Sequence, residues 1–309
     1  MNKVTVIGSI NLDRTIRVKE MAKPGETIHA SEVFSAGGGK GANQAVAAKR
    51  SGAKTAFIGA VGNDDAGKMM RELLGYEEIN LAGIAELDKV ATGQAYIVVD
   101  EKGENSIMIH AGANGKITPE HVVEHADLIK ESDFVIAQFE SDLASTIKAF
   151  EVAHQAGVKT ILNPAPAMRT VPEELLKTTD VIAPNETETE ILTGIKVVDE
   201  ESMQKAAAKL HALGIKVVLI TIGSQGSFYS MDGQSGIVPA FKVNAVDTTA
   251  AGDTFIGALS TVLMTPSRKS RDFSHGMDRP LLSHFMGLFV CFCIFLVIDI
   301  FLYNFFAHI

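Results

Sequence analysis

FVIAQFESDLASTIKAFEVAHQAGVKTIL, residues 134–162, holds one complete unit of the fold. Two short apolar runs, Phe134–Gln138 and Lys159–Leu162, flank a helical pattern from Leu143 to Ala156. Strand, helix and strand in that order make a βαβ unit, and such units build a mostly parallel sheet. The pattern recurs on both sides. Strands are predicted at Lys3–Gly8, Thr55–Gly59, Val181–Ala183 and Val217–Ile222. Helices are predicted at Gly41–Ser51, Asp65–Leu74, Pro119–Lys130, Glu201–Leu213 and Ala251–Leu263. The expected class is α/β, a mostly parallel central sheet flanked by helices.

Two segments break the alternation. Residues 12–34 and 89–112 read as extended strands, with turn signals at Pro24-Gly25-Glu26 and Asp100-Glu101-Lys102-Gly103. Gln94–Asp100 and Asn105–His110 fit the arms of a hairpin. Together these segments are expected to form a small β-sheet standing off the main one. A lid is its natural role if the chemistry must exclude water.

The chain has 309 residues, 46% of them apolar, and a net charge of −9. That allows one large α/β domain with an appendage, or two ordinary domains. Nucleic acid is not expected as a partner, because neutralising phosphates needs clustered Lys and Arg. A soluble enzyme acting on a small molecule is expected. Met1-Asn2-Lys3 leads straight into a strand, so no targeting segment is read there. With no cysteine in residues 1–263, the cytoplasm is the expected compartment. The nine histidines show no spaced set, so no histidine-based metal site is expected.

Composition shifts near Met264. Both cysteines, Cys291 and Cys293, and eight of the sixteen phenylalanines follow it. Residues 264–309 therefore read as a tail with an apolar stretch at 285–307, preceded by Arg268, Lys269, Arg271 and Arg279. That stretch has the length of a bilayer span, with the basic side kept in the cytoplasm. The tail has three readings: a frameshifted or truncated end, a membrane anchor, or a substitute packing element.

Five clusters carry candidate chemistry. In Val246-Asp247-Thr248-Thr249-Ala250-Ala251-Gly252-Asp253, small residues and an acid sit at the first turn of a helix. Free amides there bind anions, and Asp253 beside them could take a proton from a hydroxyl. An ordinary acidic helix start would look the same. Gly37-Gly38-Gly39-Lys40-Gly41-Ala42-Asn43 precedes another helix but is not a P-loop, since Lys40 is followed by Gly. Asn11-Leu12-Asp13 follows the first strand, where a carboxylate can accept two sugar hydroxyls or simply cap a turn. Asn185 and Glu188 open a further helix, either as a cap or around Mg²⁺. Thr221-Ile222-Gly223-Ser224-Gln225-Gly226 suits nucleotide contact or a plain hairpin turn.

These motifs resemble the ribokinase-type members of the PfkB carbohydrate kinase family. One family signature matches Gly39-Lys40-Gly41-Ala42-Asn43-Gln44 with Gly59-Ala60-Val61-Gly62-Asn63-Asp64 downstream. The other matches Asp247 through Phe255, and the likeness runs to about Leu263. The resemblance implies a ribokinase-like fold and ATP-dependent phosphorylation of a sugar, with ribose favoured, at its primary 5-hydroxyl. It implies that Asn11, Asp13, Gly39, Lys40, Asn43 and Glu140 hold the sugar and that Asp253 is the base. The amides of Ala250, Ala251 and Gly252 would form the anion hole. Asn185, Thr221, Gly223, Gly226 and Gly252 would meet ATP, Glu188 would act near Mg²⁺ through water, and Asp247 and Thr249 would begin a K⁺ site. A homodimer through the lid is implied as well. A sugar phosphate would call for extra Arg or Lys at these positions, and they carry none beyond Lys40.

Overall fold

The computed structural model of the chain describes residues 1–242 and 248–263. The chain runs β1 (Lys3–Ile7), β2 (Asn11–Val18), β3 (Ala30–Gly38), α1 (Lys40–Arg50), β4 (Lys54–Gly62), α2 (Asp65–Tyr76), β5 (Asn80–Leu87), β6 (Gly93–Val99) and β7 (Asn105–His110). It continues through α3 (Pro119–Glu124), α4 (Ala126–Lys130), β8 (Phe134–Ala137), α5 (Leu143–Gln155), β9 (Lys159–Leu162), α6 (Glu173–Lys177) and β10 (Val181–Ile182). Last come α7 (Glu186–Thr193), α8 (Glu200–His211), β11 (Val217–Thr221), β12 (Gly226–Met231), β13 (Gln234–Pro239) and α9 (Ala251–Ser260).

The main sheet has nine strands in the order β13-β12-β11-β10-β9-β8-β1-β4-β5. From β11 to β5 every pairing is parallel; β12 and β13 add an antiparallel edge. Alternation along each strand divides the core in two. Val4, Val6, Phe134 and Ile136 meet Val46, Met70, Leu74, Ile256 and Leu259 on the face covered by α1, α2 and α9. Ile7, Val135 and Ala137 meet Val122, Ile129, Phe150, Met203 and Leu210 on the face covered by α3, α4, α5 and α8. Burying each such side chain stabilises the fold by about 1.5–3 kcal/mol.

The small sheet has the order β3-β2-β6-β7 and is built from the two segments that broke the alternation. It is tied to the body at its root. Asp64 caps α2 through the Gly67 amide and also accepts from the Thr92 amide, 2.9 Å, and the Thr92 hydroxyl, 2.5 Å. Burial alone would raise the Asp64 pKa, but these bonds outweigh it and hold it below the usual carboxylate range.

Helix α9 lies directly on α1. A Cβ at Gly257 would fall 2.5 Å from the Gln44 carbonyl oxygen, so the two backbones touch. Asn2 holds the far end of α9 by donating to the carbonyls of Ser260 and Leu263 at 2.8 and 2.9 Å.

Differences from the sequence expectation are local. The single helix predicted over Pro119–Lys130 is two, broken at His125, whose backbone (φ −108°, ψ 19°) leaves the helical region. Strand β5, helix α6 and the β12–β13 hairpin lay outside the predicted elements. Asp247 and the tail from residue 264, with its apolar stretch, lie outside the described residues. Among the described residues no helix is long and apolar enough to cross a membrane.

Candidate active site

After β1 the chain builds β4 and β5 on one side, then returns to place β8 on the other. Strand order reverses between β1 and β8, and in open α/β sheets the carboxyl ends at such a reversal form the ligand crevice. Ser9, just past β1, donates to Glu140 Oε2 at 2.7 Å, and the Lys40 amide donates to the same oxygen at 3.1 Å. Lys40 opens α1 directly above this point. Gly41 has to be glycine, because a Cβ there would lie 2.6 Å from the Ser9 nitrogen. The glycine run is therefore a close-packed junction, with its preceding strand β3 antiparallel in the small sheet.

Asn11 and Asp13 enter the crevice from β2. Asn114 fixes the first of them: its amide nitrogen donates to Asn11 Oδ1 at 2.8 Å and to the Ile10 carbonyl at 3.2 Å, and its oxygen accepts from the Ile10 amide at 2.9 Å. Asp13 packs beneath Gly38, where a Cβ would fall 2.2 Å from Oδ2. Its Oδ1 is buried without a hydrogen-bond partner. Burial pushes the Asp13 carboxyl up to about 7, and the charges of Glu140 and Asp253 add to the rise. A buried acceptor with no donor suits a ligand hydroxyl.

Asp253 is buried in the first turn of α9. Gln44 Nε2 donates to its Oδ1 at 2.9 Å, and Asn43 Nδ2 lies 3.4 Å from Oδ2. The orientation of Gln44 is dictated by a backbone group. The Ala183 carbonyl can only accept, so Asn163 turns its amide nitrogen to it, at 3.1 Å, and its oxygen to Gln44, at 3.1 Å. Gln44 must answer with nitrogen, which leaves its oxygen for the amide nitrogen of Gln138 at 2.6 Å. Burial raises the Asp253 pKa; Lys40, Gln44 and Asn43 pull it back, and Glu140 adds to the rise.

The predicted nucleotide residues lie at the start of α9 and on the segments that follow β10 and β11. Ala250 adopts the left-handed conformation (φ 58°) ahead of α9, and a Cβ at Gly252 would meet nothing within 4 Å, so the backbone there is open to an incoming group. The first amides of a helix have no intrahelical acceptor; here the Ala251 amide donates to the Thr248 carbonyl at 3.2 Å. Asn185 bridges to Thr221 at the end of β11. Asn185 and Glu188 form a reciprocal capping box on α7, at 2.8 and 2.9 Å. Burial raises the Glu188 pKa, the Asn185 bond and Lys40 oppose it, and Asp253 adds to it, so Glu188 shares the site's field. Gly223 (φ 54°) and Gly226 (φ 113°) form the turn into β12. Thr249 is described, while Asp247 is not.

Residues 1–274 match the pfkB family of carbohydrate kinases. The chain belongs to the PfkB family. Among its PfkB relatives, a ribokinase of Staphylococcus aureus is 47% identical over 272 residues, 88% of each chain. A ribokinase of Haemophilus influenzae is 46% identical over 261 residues, covering 84% of this chain and 85% of the relative. The structure of Arabidopsis thaliana ribokinase complexed with ribose and ATP aligns with a TM-score of 0.80 at 35% identity, over 84% of this chain and 85% of that one.

Within this PfkB fold, the sequence-predicted residues Asn11, Asp13, Lys40, Asn43, Glu140, Glu188 and Asp253 gather around the crevice through the bonds and charges above. The sequence reading assigned no role to Ser9, Asn114, Gln138 or Asn163, and none to Gln44 beyond its place in the signature. All five are buried polar residues in helical or strand-end positions that a pattern of apolar spacing passes over.

Proposed function

We propose that this PfkB kinase transfers the γ-phosphoryl group of ATP to the primary 5-hydroxyl of D-ribose, giving ribose 5-phosphate and ADP. Its likeness to ribokinases supports the substrate. The observation that carries the reading is the placement of one buried carboxylate, Asp253, at the amino end of a helix and in the field of the polar cluster of Asp13, Glu140 and Lys40.

Asp13 and Asn11 accept and donate to the sugar hydroxyls, with Gly39, Lys40, Asn43 and Glu140 lining the same pocket. The unpartnered Asp13 Oδ1 asks for a donor, and a polyol supplies one. Asp253 takes the proton of the attacking hydroxyl on Oδ2, whose 3.4 Å contact with Asn43 is weaker than the 2.9 Å bond of Gln44 to Oδ1. The amides of Ala250, Ala251 and Gly252, with the positive end of α9, neutralise charge on the transferring group. Asn185, Thr221, Gly223 and Gly226 would meet the rest of the nucleotide. Mg²⁺, when bound, neutralises phosphate charge; Glu188 would hold its water shell, because its carboxylate faces the same field as Lys40 and Asp253. A K⁺ site would begin at Thr249 and Asp247. The small sheet is read as a lid and as a homodimer contact, with Ile107, Met108 and Ile109 of β7 exposed. The cytoplasm, where ATP is abundant, is the proposed compartment.

Release of ADP by the purified full-length chain, with ATP, Mg²⁺ and K⁺, tests the proposal. D-ribose is expected to stimulate release. A folded sample that responds no better to ribose than to buffer overturns it.

A further inference from the structure

His121-Val122-Val123-Glu124-His125 spans α3 and its end, and spacing of three and four residues puts both imidazoles and the carboxylate on one side. The expectation of no spaced histidine set fails here: one ligand atom from each residue lies within 4.8 Å of the other two. Glu124 is exposed, the histidines are half-buried, and Val122 between them anchors the turn in the core.

Each ring is oriented by a backbone carbonyl. His121 Nε2 lies 2.9 Å from the Gly83 oxygen, and His125 Nδ1 lies 3.0 Å from the His121 oxygen. A carbonyl only accepts, so these two nitrogens carry the protons. Nδ1 of His121 and Nε2 of His125 then hold the lone pairs. The rings stand 4.5 Å apart and tilted by 44°. Tying the far nitrogen to a carbonyl is how proteins fix the tautomer and aim of a metal-binding imidazole.

We propose that His121, Glu124 and His125 bind a divalent transition-metal ion of the zinc class. Two imidazoles and one carboxylate, with water completing the shell, are a zinc-type donor set. Mg²⁺ keeps to oxygen and water and is not retained by it. Ligand atoms around zinc sit about 3.4 Å apart at tetrahedral geometry, so the three groups, within 4.8 Å of one another, draw together on binding, the exposed Glu124 by side-chain rotation and the imidazoles by a small shift of their rings. The site lies on the sheet face opposite α9 and, through His121, joins α3 to the edge strand β5. The ion would lock the end of α3, whose His121 ring is already tied to β5 through the Gly83 carbonyl.

Metal-free full-length chain is titrated with Zn²⁺ against a chromophoric chelator, beside His125→Ala and Glu124→Gln. Other histidines and the cysteines bind equally in all three, so the difference isolates this site. The wild type is expected to hold one more tight equivalent than His125→Ala. Glu124→Gln is expected to bind at least about tenfold more weakly, the loss that even an outer partner costs. Co²⁺ should give visible absorption in the wild type that His125→Ala lacks. Glu124 is at the surface, so its variant reports even if His125→Ala folds poorly. Zinc affinity and stoichiometry that are the same in all three chains overturn the proposal.

Discussion

Gln44 Nε2 stands 2.9 Å from Asp253 Oδ1, and it points there because a carbonyl on another strand, that of Ala183, leaves the chain of amides no other arrangement. Gln44 thereby holds Oδ1 at the shorter distance, while Oδ2 meets only the longer 3.4 Å contact of Asn43 Nδ2. Asp253→Asn keeps the hydrogen bond to Gln44 possible and removes the proton acceptor. Turnover is expected to fall by about 10²–10⁴-fold, with an unchanged circular dichroism spectrum.

Gln44→Met removes a bond that lowers the Asp253 pKa. The base then protonates at higher pH, so the acid limb of kcat moves up. At neutral pH kcat falls more than KM changes. A kcat–pH profile of the two proteins side by side checks the direction.

Asp13 sits at about 7 when the site is empty. Only its carboxylate accepts sugar hydroxyls with both oxygens, so kcat/KM for ribose should drop about tenfold per pH unit below that point. The sign for stability is opposite. The folded value lies above the unfolded 3.8, so the folded state holds the extra proton, and its advantage is lost as pH climbs from 3.8 to about 7. Asp13→Asn should therefore bind ribose poorly yet melt higher than wild type at pH 8. The gain is bounded by about 1.4 kcal/mol for each pH unit separating the folded and unfolded values. Calorimetry at pH 5 and pH 8 separates the two effects.

Glu188 serves as a cap in the structure and as a proposed Mg²⁺ partner. Glutamine also completes a capping box. Glu188→Gln should leave the melting temperature in place and raise the Mg²⁺ concentration for half-maximal activity. A lower melting temperature with an unmoved Mg²⁺ curve would mean that capping is its whole role.

The outer strand β7 exposes Ile107 and Met108 on opposite faces, 54% and 59% accessible. On the proposed homodimer contact, Ile107→Lys with Met108→Lys should leave a monomer by light scattering where the wild type is a dimer.

The body of the fold was legible because β8 is an unbroken apolar run and β1 and β9 carry Val4, Val6, Ile7, Ile161 and Leu162 in short, almost wholly buried strands. Strand β5 was not, since Gly83 and Asn80 dilute its pattern and only one neighbour supports it. The β12–β13 hairpin had a readable signal, Asp232-Gly233, both at positive φ in a two-residue turn. In the site, Asp253, Asp13 and Lys40 stood in motifs. The amides that orient them did not, because Asn163 and Gln44 are 119 residues apart and meet only after folding. His121 and His125 were near in sequence, but two neighbouring carbonyls make them a pair.

Asn2 clasps Ser260 and Leu263, and α9 lies in the groove of α1, so the two extremes of the body close on each other. During synthesis Asn11, Asp13 and Lys40 emerge long before Asp253. A polypeptide that ends before Asp253 lacks the proposed proton acceptor, and one that ends before Leu263 also lacks a carbonyl that Asn2 holds. On the proposed role of Asp253, activity waits until α9 has emerged and docked on α1.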